Sequence, residues 1–149
     1  MNNKLYFFPP PVVVLLLIAA AHAANRSFPD LEIIPPTIGG LAWLFSGLAL
    51  STSAAWHFRQ LETTVLPFGK PTKFVTRGAF IWTRNPMYLG LLTALIGLAL
   101  YMGTLPFWLL PPAFFLIINR FHIPYEENRL TSLFGTDYIR YRQSVHRWL

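Results

Sequence analysis

Apolar residues in this chain are gathered into four blocks, roughly Leu5 to Ala24, Pro35 to Trp56, Met87 to Met102 and Leu105 to Asn119, and the segments between them hold most of the charge. A helix needs about 20 apolar residues to cross the hydrocarbon of a bilayer, within a range of about 17 to 25. The second block meets that length on its own. The third and fourth are shorter and are parted only by Gly103 and Thr104, so they predict a tight hairpin of two tilted or partly shielded helices. Pro106, Pro111 and Pro112 should kink the second of the pair. The first block has two readings. Lys4, the run Val12 to Ala21 and the small-residue pattern Ala21-His22-Ala23 have the layout of a secretory signal and its cleavage site. Pro9 to Pro11 interrupt the start of that run, however, and the later blocks are membrane-bound in either case, so a retained helix is expected.

The pattern changes over Pro124 to Leu149. This segment is rich in charge, and Leu130, Leu133, Phe134, Tyr138, Tyr141 and Val145 recur at steps of three and four, which predicts an amphipathic helix broken once at Gly135. Such a helix could simply anchor the tail at the interface. The expected fold is thus all-α: a polytopic membrane protein with about four transmembrane helices and a C-terminal amphipathic cytoplasmic helix, forming a single membrane domain over residues 1–149.

Basic residues orient this arrangement. Arg26 is the one basic residue between the first two blocks, whereas Arg59, Lys70, Lys73, Arg77 and Arg84 lie between the second and third. Arg120, Arg129, Arg140, Arg142 and Arg147 follow the fourth. An excess of Lys and Arg marks the cytoplasmic side, so both termini are expected in the cytoplasm, at the inner membrane if the source is bacterial.

Composition strengthens the membrane reading. The chain has 149 residues, of which 54% are hydrophobic and only 12% charged, and its mean hydropathy is +0.43. A soluble chain of this size would intersperse its apolar residues with charge. The net charge of +6 sits beside apolar blocks, which suits anionic lipid headgroups and not nucleic acid. Absence of cysteine excludes a thiol nucleophile and thiolate zinc sites. The four histidines are scattered over different segments, so no metal site is expected.

Two polar constellations lie at membrane boundaries on the same side. One is Lys73-Phe-Val-Thr-Arg-Gly-Ala-Phe-Ile-Trp-Thr-Arg-Asn-Pro-Met-Tyr-Leu-Gly90, and the other is Tyr125-Glu126-Glu127. Adjacent carboxylates beside an apolar helix end are costly unless solvated or paired. Arg84, Arg120 or a cationic ligand could pair them. Placement in the first turn of the tail helix, where the helix dipole favours carboxylates, is the plainer explanation. Asn85-Pro86 likewise has the form of ordinary helix-start punctuation, with Asn as N-cap and Pro at the first helical position.

Taken together, these pieces resemble the integral membrane methyltransferases that include isoprenylcysteine carboxyl methyltransferase and the phospholipid N-methyltransferases. "FVTRGAFIWTRNPMYLG" is similar to that family's stretch leading to Arg-His-Pro-x-Tyr-x-Gly, "YEENRL" to its Glu-Glu pair, and "LFGTDYIRYRQSVHRW" to its Phe-Gly-x-x-Tyr-x-x-Tyr tail. The likeness covers residues 72–148, which would be the cofactor-binding methyltransferase region. It implies S-adenosylmethionine as cofactor and a lipophilic acceptor held in the membrane: a carboxylate, a thiol or a lipid headgroup. By motif position, Thr72, Lys73, Phe74 and Val75 would meet the adenine end of the cofactor. Phe80, Asn85, Pro86, Met87 and Tyr88 would line its pocket, and Glu127 would contact its polar groups. Arg120 falls near a substrate-contacting arginine, and Glu126 could assist in removing a proton from an amine. Asn85 stands where the family has His; it can hydrogen-bond but cannot titrate near neutrality, which leaves it a positioning role.

Two other functions compete. A membrane sterol or enone reductase has a similar Arg-x-Pro-x-Tyr-x-Gly, but the 2'-phosphate of its NADPH would want clustered arginine and be repelled by the Glu-Glu pair. A non-enzymatic membrane scaffold is opposed only by the motif spacing.

Overall fold

The computed structural model describes residues 8–28, 31–60 and 75–149, with the backbone alone for 58–60. Helices α1 (Pro10–Ser27), α2 (Gly39–Gln60) and α3 (Pro86–Met102) are followed by short α4 (Leu105–Trp108) and α5 (Leu110–Ile117). A π-turn over Ile118–His122 then leads into α6 (Ile123–Ser144). A short 3-10 turn, Gly78–Ile81, precedes α3. No strand occurs among the described residues; Glu32 and Thr104 form an isolated antiparallel bridge that fastens the first connection to the α3–α4 turn. The all-α expectation holds.

Proline and glycine set most of these boundaries. Pro10, Pro86, Pro106 and Pro111 each fall at the first or second position of a helix, where a missing N–H costs nothing. The expected hairpin after Met102 is present: Gly103 takes φ 73°, and its amide closes α3 by donating to the Ala99 carbonyl at 2.8 Å. The fourth block is not one kinked helix but α4, α5 and the π-turn. Pro124 explains the π-turn: it lacks an N–H, and its ring would press on the carbonyl one α-turn back, so the ladder widens there. Gly135 breaks α6 where expected, at φ 52° and ψ −125°, a region nearly reserved for glycine.

Helix α3 is central, with α2 against one side and α5 against another, while α1 packs on α4 and α5. The main core joins Val13 and Ala21 of α1 to Tyr88, Leu95 and Ala99 of α3 and to Phe107, Leu110, Phe114 and Ile118. On the α2 side, backbone meets backbone. A Cβ on Gly97 would stand 2.3 Å from the Leu44 amide nitrogen, and one on Gly47 2.4 Å from that of Ala94. Gly40 and Gly90 are equally confined, so two glycines on each helix form an antiparallel seam.

Among the described residues, α1 is the one helix both long and apolar enough by itself to cross a membrane, and α3 is apolar but has 17 residues. Helix α2 has the length, at 22 residues, but its sequence is diluted by Ser46, Ser51, Thr52, Ser53 and His57. Large apolar side chains are nonetheless turned outward along these helices, among them Leu15, Leu16, Trp43, Phe45, Trp56 and Leu116.

Candidate functional site

The start of α3, the junction of the π-turn with α6, and the C-terminal strap Val145–Leu149 converge on one buried carboxylate. Glu127 is 5% exposed and is surrounded by three arginines. Arg147 donates twice, from Nη2 to Oε2 at 2.7 Å and from Nε to Oε1 at 3.2 Å. Arg84 Nη2 lies 3.3 Å from Oε1, and Arg142 Nη2 lies 3.9 Å from Oε2. The first of these is charge-assisted and short, and the last, on a half-exposed side chain, contributes little. The Arg84 side chain is itself largely buried, and its Nε and Nη1 have no hydrogen-bond partner among the described residues.

The strap is held by the residues that open α3. Arg84 donates its backbone N–H to the His146 carbonyl at 2.9 Å. Asn85 Nδ2 and Thr83 Oγ1 both donate to the Arg147 carbonyl, at 2.8 and 3.2 Å. Farther along, Trp148 Nε1 donates to Asn119 Oδ1 at 3.2 Å, and its ring lies 5.0 Å from that of Phe115. Asn85 therefore occupies the N-cap position without capping: its side chain holds the strap instead.

Glu126 points elsewhere. The Tyr88 hydroxyl donates to its Oε1. Burial pushes the Glu126 carboxyl up from 4.5 to about 7; the Tyr88 hydrogen bond pulls it down, Glu127 pushes it up and Arg129 draws it down again. Burial also raises Tyr138 to about 12 and Tyr141 further still. Both stay protonated near neutrality and are poor bases; Tyr141 donates to the Phe80 carbonyl at 2.8 Å.

Several sequence-level assignments meet here. Asn85, Tyr88, Glu126 and Glu127 come together, and Pro86 is buried beside them. Val75, Phe80 and Met87 form a second apolar cluster with Ala54 of α2. Thr72, Lys73 and Phe74 lie outside the described residues. Arg120 sits exposed on the π-turn; of the two arginines expected to pair the carboxylates it is Arg84 that does so, at Glu127, joined there by Arg142 and Arg147. The helix-dipole explanation of Glu127 weakens, because His122 and Ile123 continue the helical backbone and no free N-terminus exists there. Arg147, Arg142, Asn119 and Trp148 escaped the sequence reading. Arg142, Arg147 and Trp148 lay within the quoted tail motif, which was their one available signal.

Fold and site define an all-helical, apolar protein in which, among the described residues, three arginines gather around the buried carboxylate of Glu127 beside the start of α3. Over residues 36–137 its sequence matches that of the phospholipid methyltransferase family, and the chain belongs to that family. The family is one of membrane-associated methyltransferases. An uncharacterized protein of Haemophilus influenzae is 48% identical over 63 residues, which is 42% of this chain and all of that one. No solved structure matches.

Proposed function

We propose that the protein transfers a methyl group from S-adenosylmethionine to a lipophilic acceptor held in the membrane, at the cluster around Glu127. The observation that carries this reading is a charged, buried cluster built at the family's own motif positions, with Arg84, Asn85, Tyr88, Glu126 and Glu127 all inside the matched residues. The residues suit the donor. Its amino-acid end carries an ammonium and a carboxylate, opposite in sign to Glu127 and Arg84, and Val75, Phe80 and Met87 offer an apolar surface nearby. Bound, the sulfonium supplies an already activated methyl group. What remains for the chain is alignment and exclusion of water. Asn85 and Thr83 fix the strap that covers this region. The reductase and scaffold alternatives find no support in the family match.

Four membrane crossings with both termini cytoplasmic fit the outward-facing apolar side chains and the five basic residues of the second connection. Reporter tags at both ends should then read cytoplasmic; a C-terminal tag on the outer face would overturn this orientation.

The acceptor can be a carboxylate, a thiol or a lipid headgroup, as in an isoprenylcysteine-type or a phospholipid-type reaction. Glu126 separates these. An amine must lose its proton, and Glu126 can accept one only when ionised, so the rate with an amine headgroup should rise with pH through about 7. A carboxylate acceptor needs no base and should show no such rise. In Tyr88→Phe the hydrogen bond that holds the Glu126 carboxyl down is gone, and the midpoint should move to higher pH. Stability follows the opposite sense. Glu126 binds its proton more tightly in the folded protein, so its contribution is full below 4.5 and is lost as pH rises to about 7. Labelled donor offered with membrane lipid extract, a prenylcysteine analogue and a water-soluble amine tests the whole reading; no transfer to any lipophilic acceptor would refute it.

A further inference from the structure

A guanidinium has five N–H donors and no acceptor, and burying it is costly unless those donors are used. In Arg84, with a side chain only 9% exposed, Nη2 meets Glu127, while Nε and Nη1 are buried with no hydrogen-bond partner among the described residues. Neutralising Glu127 does not require Arg84. Arg147 already spans both carboxylate oxygens, at 3.2 and 2.7 Å, and Arg142 stands beside them. Against these three cations stand Glu127 and the neighbouring Glu126, which is partly protonated near neutrality, so positive charge is in excess and is focused at a buried group with donors to spare. Tyr138 and Tyr141 both feel the charge of Arg84, and neither ionises near neutrality to answer it.

We propose that Arg84 is the seat of an oxyanion carried by a bound ligand, a carboxylate or phosphate oxygen that accepts from its unused N–H groups, with Arg142 and Arg147 supplying the surrounding field. The role of anion recognition thereby passes from exposed Arg120 to Arg84. Resting on the methyl-transfer reading, the oxyanion has two sources: the carboxylate of the donor's amino-acid end, or the phosphodiester of a phospholipid acceptor.

Binding to the full chain in detergent distinguishes them, using S-adenosylmethionine, its decarboxylated form, a short-chain phosphatidylethanolamine and inorganic phosphate as probes. Arg84→Gln keeps Arg142 and Arg147 on Glu127, and Arg84→Lys keeps the positive charge as well; thermal melting confirms that each is folded. If the donor's carboxylate takes the seat, Arg84→Gln should bind S-adenosylmethionine roughly tenfold or more weakly. The decarboxylated form should then be weak on the wild type and indifferent to the substitution. If the headgroup takes it, the loss should appear with the phospholipid and spare both donor forms. Arg84→Lys should lie between. Equal binding of every probe by wild type and Arg84→Gln would overturn the proposal. Should the wild type bind no donor, the methyl-transfer reading fails, and the seat is then judged by inorganic phosphate: saturable stabilisation lost in Arg84→Gln supports it, and none in the wild type overturns it.

Discussion

Glu127→Ala is expected to destabilise the protein by about 3 kcal/mol, the lower end of the range for breaking a buried ion pair. Substitution removes the one anion shared by Arg84, Arg142 and Arg147. Arg142 and Arg147 can turn toward water, at 48% and 32% side-chain exposure, so most of the cost falls on Arg84 at 9%. The strap should loosen as well, because the Arg147 side chain loses both of its bonds to Glu127. Thermal melting in detergent, with Trp148 fluorescence reporting the strap, measures both effects. If Glu127 served only to contact a cofactor, the ligand-free melting temperature would not change.

Gly97→Leu should be at least as damaging, about 3 kcal/mol or more, beyond the usual cost of overpacking. An added Cβ would lie 2.3 Å from the Leu44 nitrogen and 2.6 Å from the Gly40 carbonyl oxygen. These are backbone atoms, which cannot swing aside as a side chain can, so α2 and α3 must separate along the whole seam. Alanine at the same place should already cost about 1 to 3 kcal/mol. Gly39→Ala provides the control, because its Cβ would meet only Thr37 Cγ2 at an ordinary 3.6 Å. Equal melting temperatures for the Gly97 and Gly39 variants would show that the helices are not locked together there.

Local punctuation was legible in the sequence and tertiary pairing was not. The α3–α4 turn at Gly103, the break at Gly135 and the start of α3 at Pro86 could be foreseen, because glycine and proline restrict the backbone wherever they stand. The glycine seam was hidden: Gly40 and Gly47 have meaning only opposite Gly97 and Gly90, and no local pattern announces a partner some 40 residues or more away. The charged cluster was legible only in part: Arg84 could be offered as a partner for the acidic pair, but Arg147 could not. Arg147 meets Glu127 across 20 residues and Asn85 across 62, and only the fold shows that it, not Arg120, completes the pair. The motif resemblance found Asn85, Tyr88 and the two glutamates, the residues whose spacing is fixed within a single helix or its first turn.

The π-turn over Ile118–His122 makes the position of Glu127 a matter of counting as well as of chemistry. Each residue in an α-helix advances the face by about 100°. Shortening that turn by one residue would restore regular helical phase and rotate everything after it by about that angle, carrying Glu127 out of register with Arg84 while leaving every motif residue in place. Two relatives with identical motifs but different lengths between Ile118 and Glu127 would therefore present different faces to the start of α3, so the length of this stretch would matter as much as its letters.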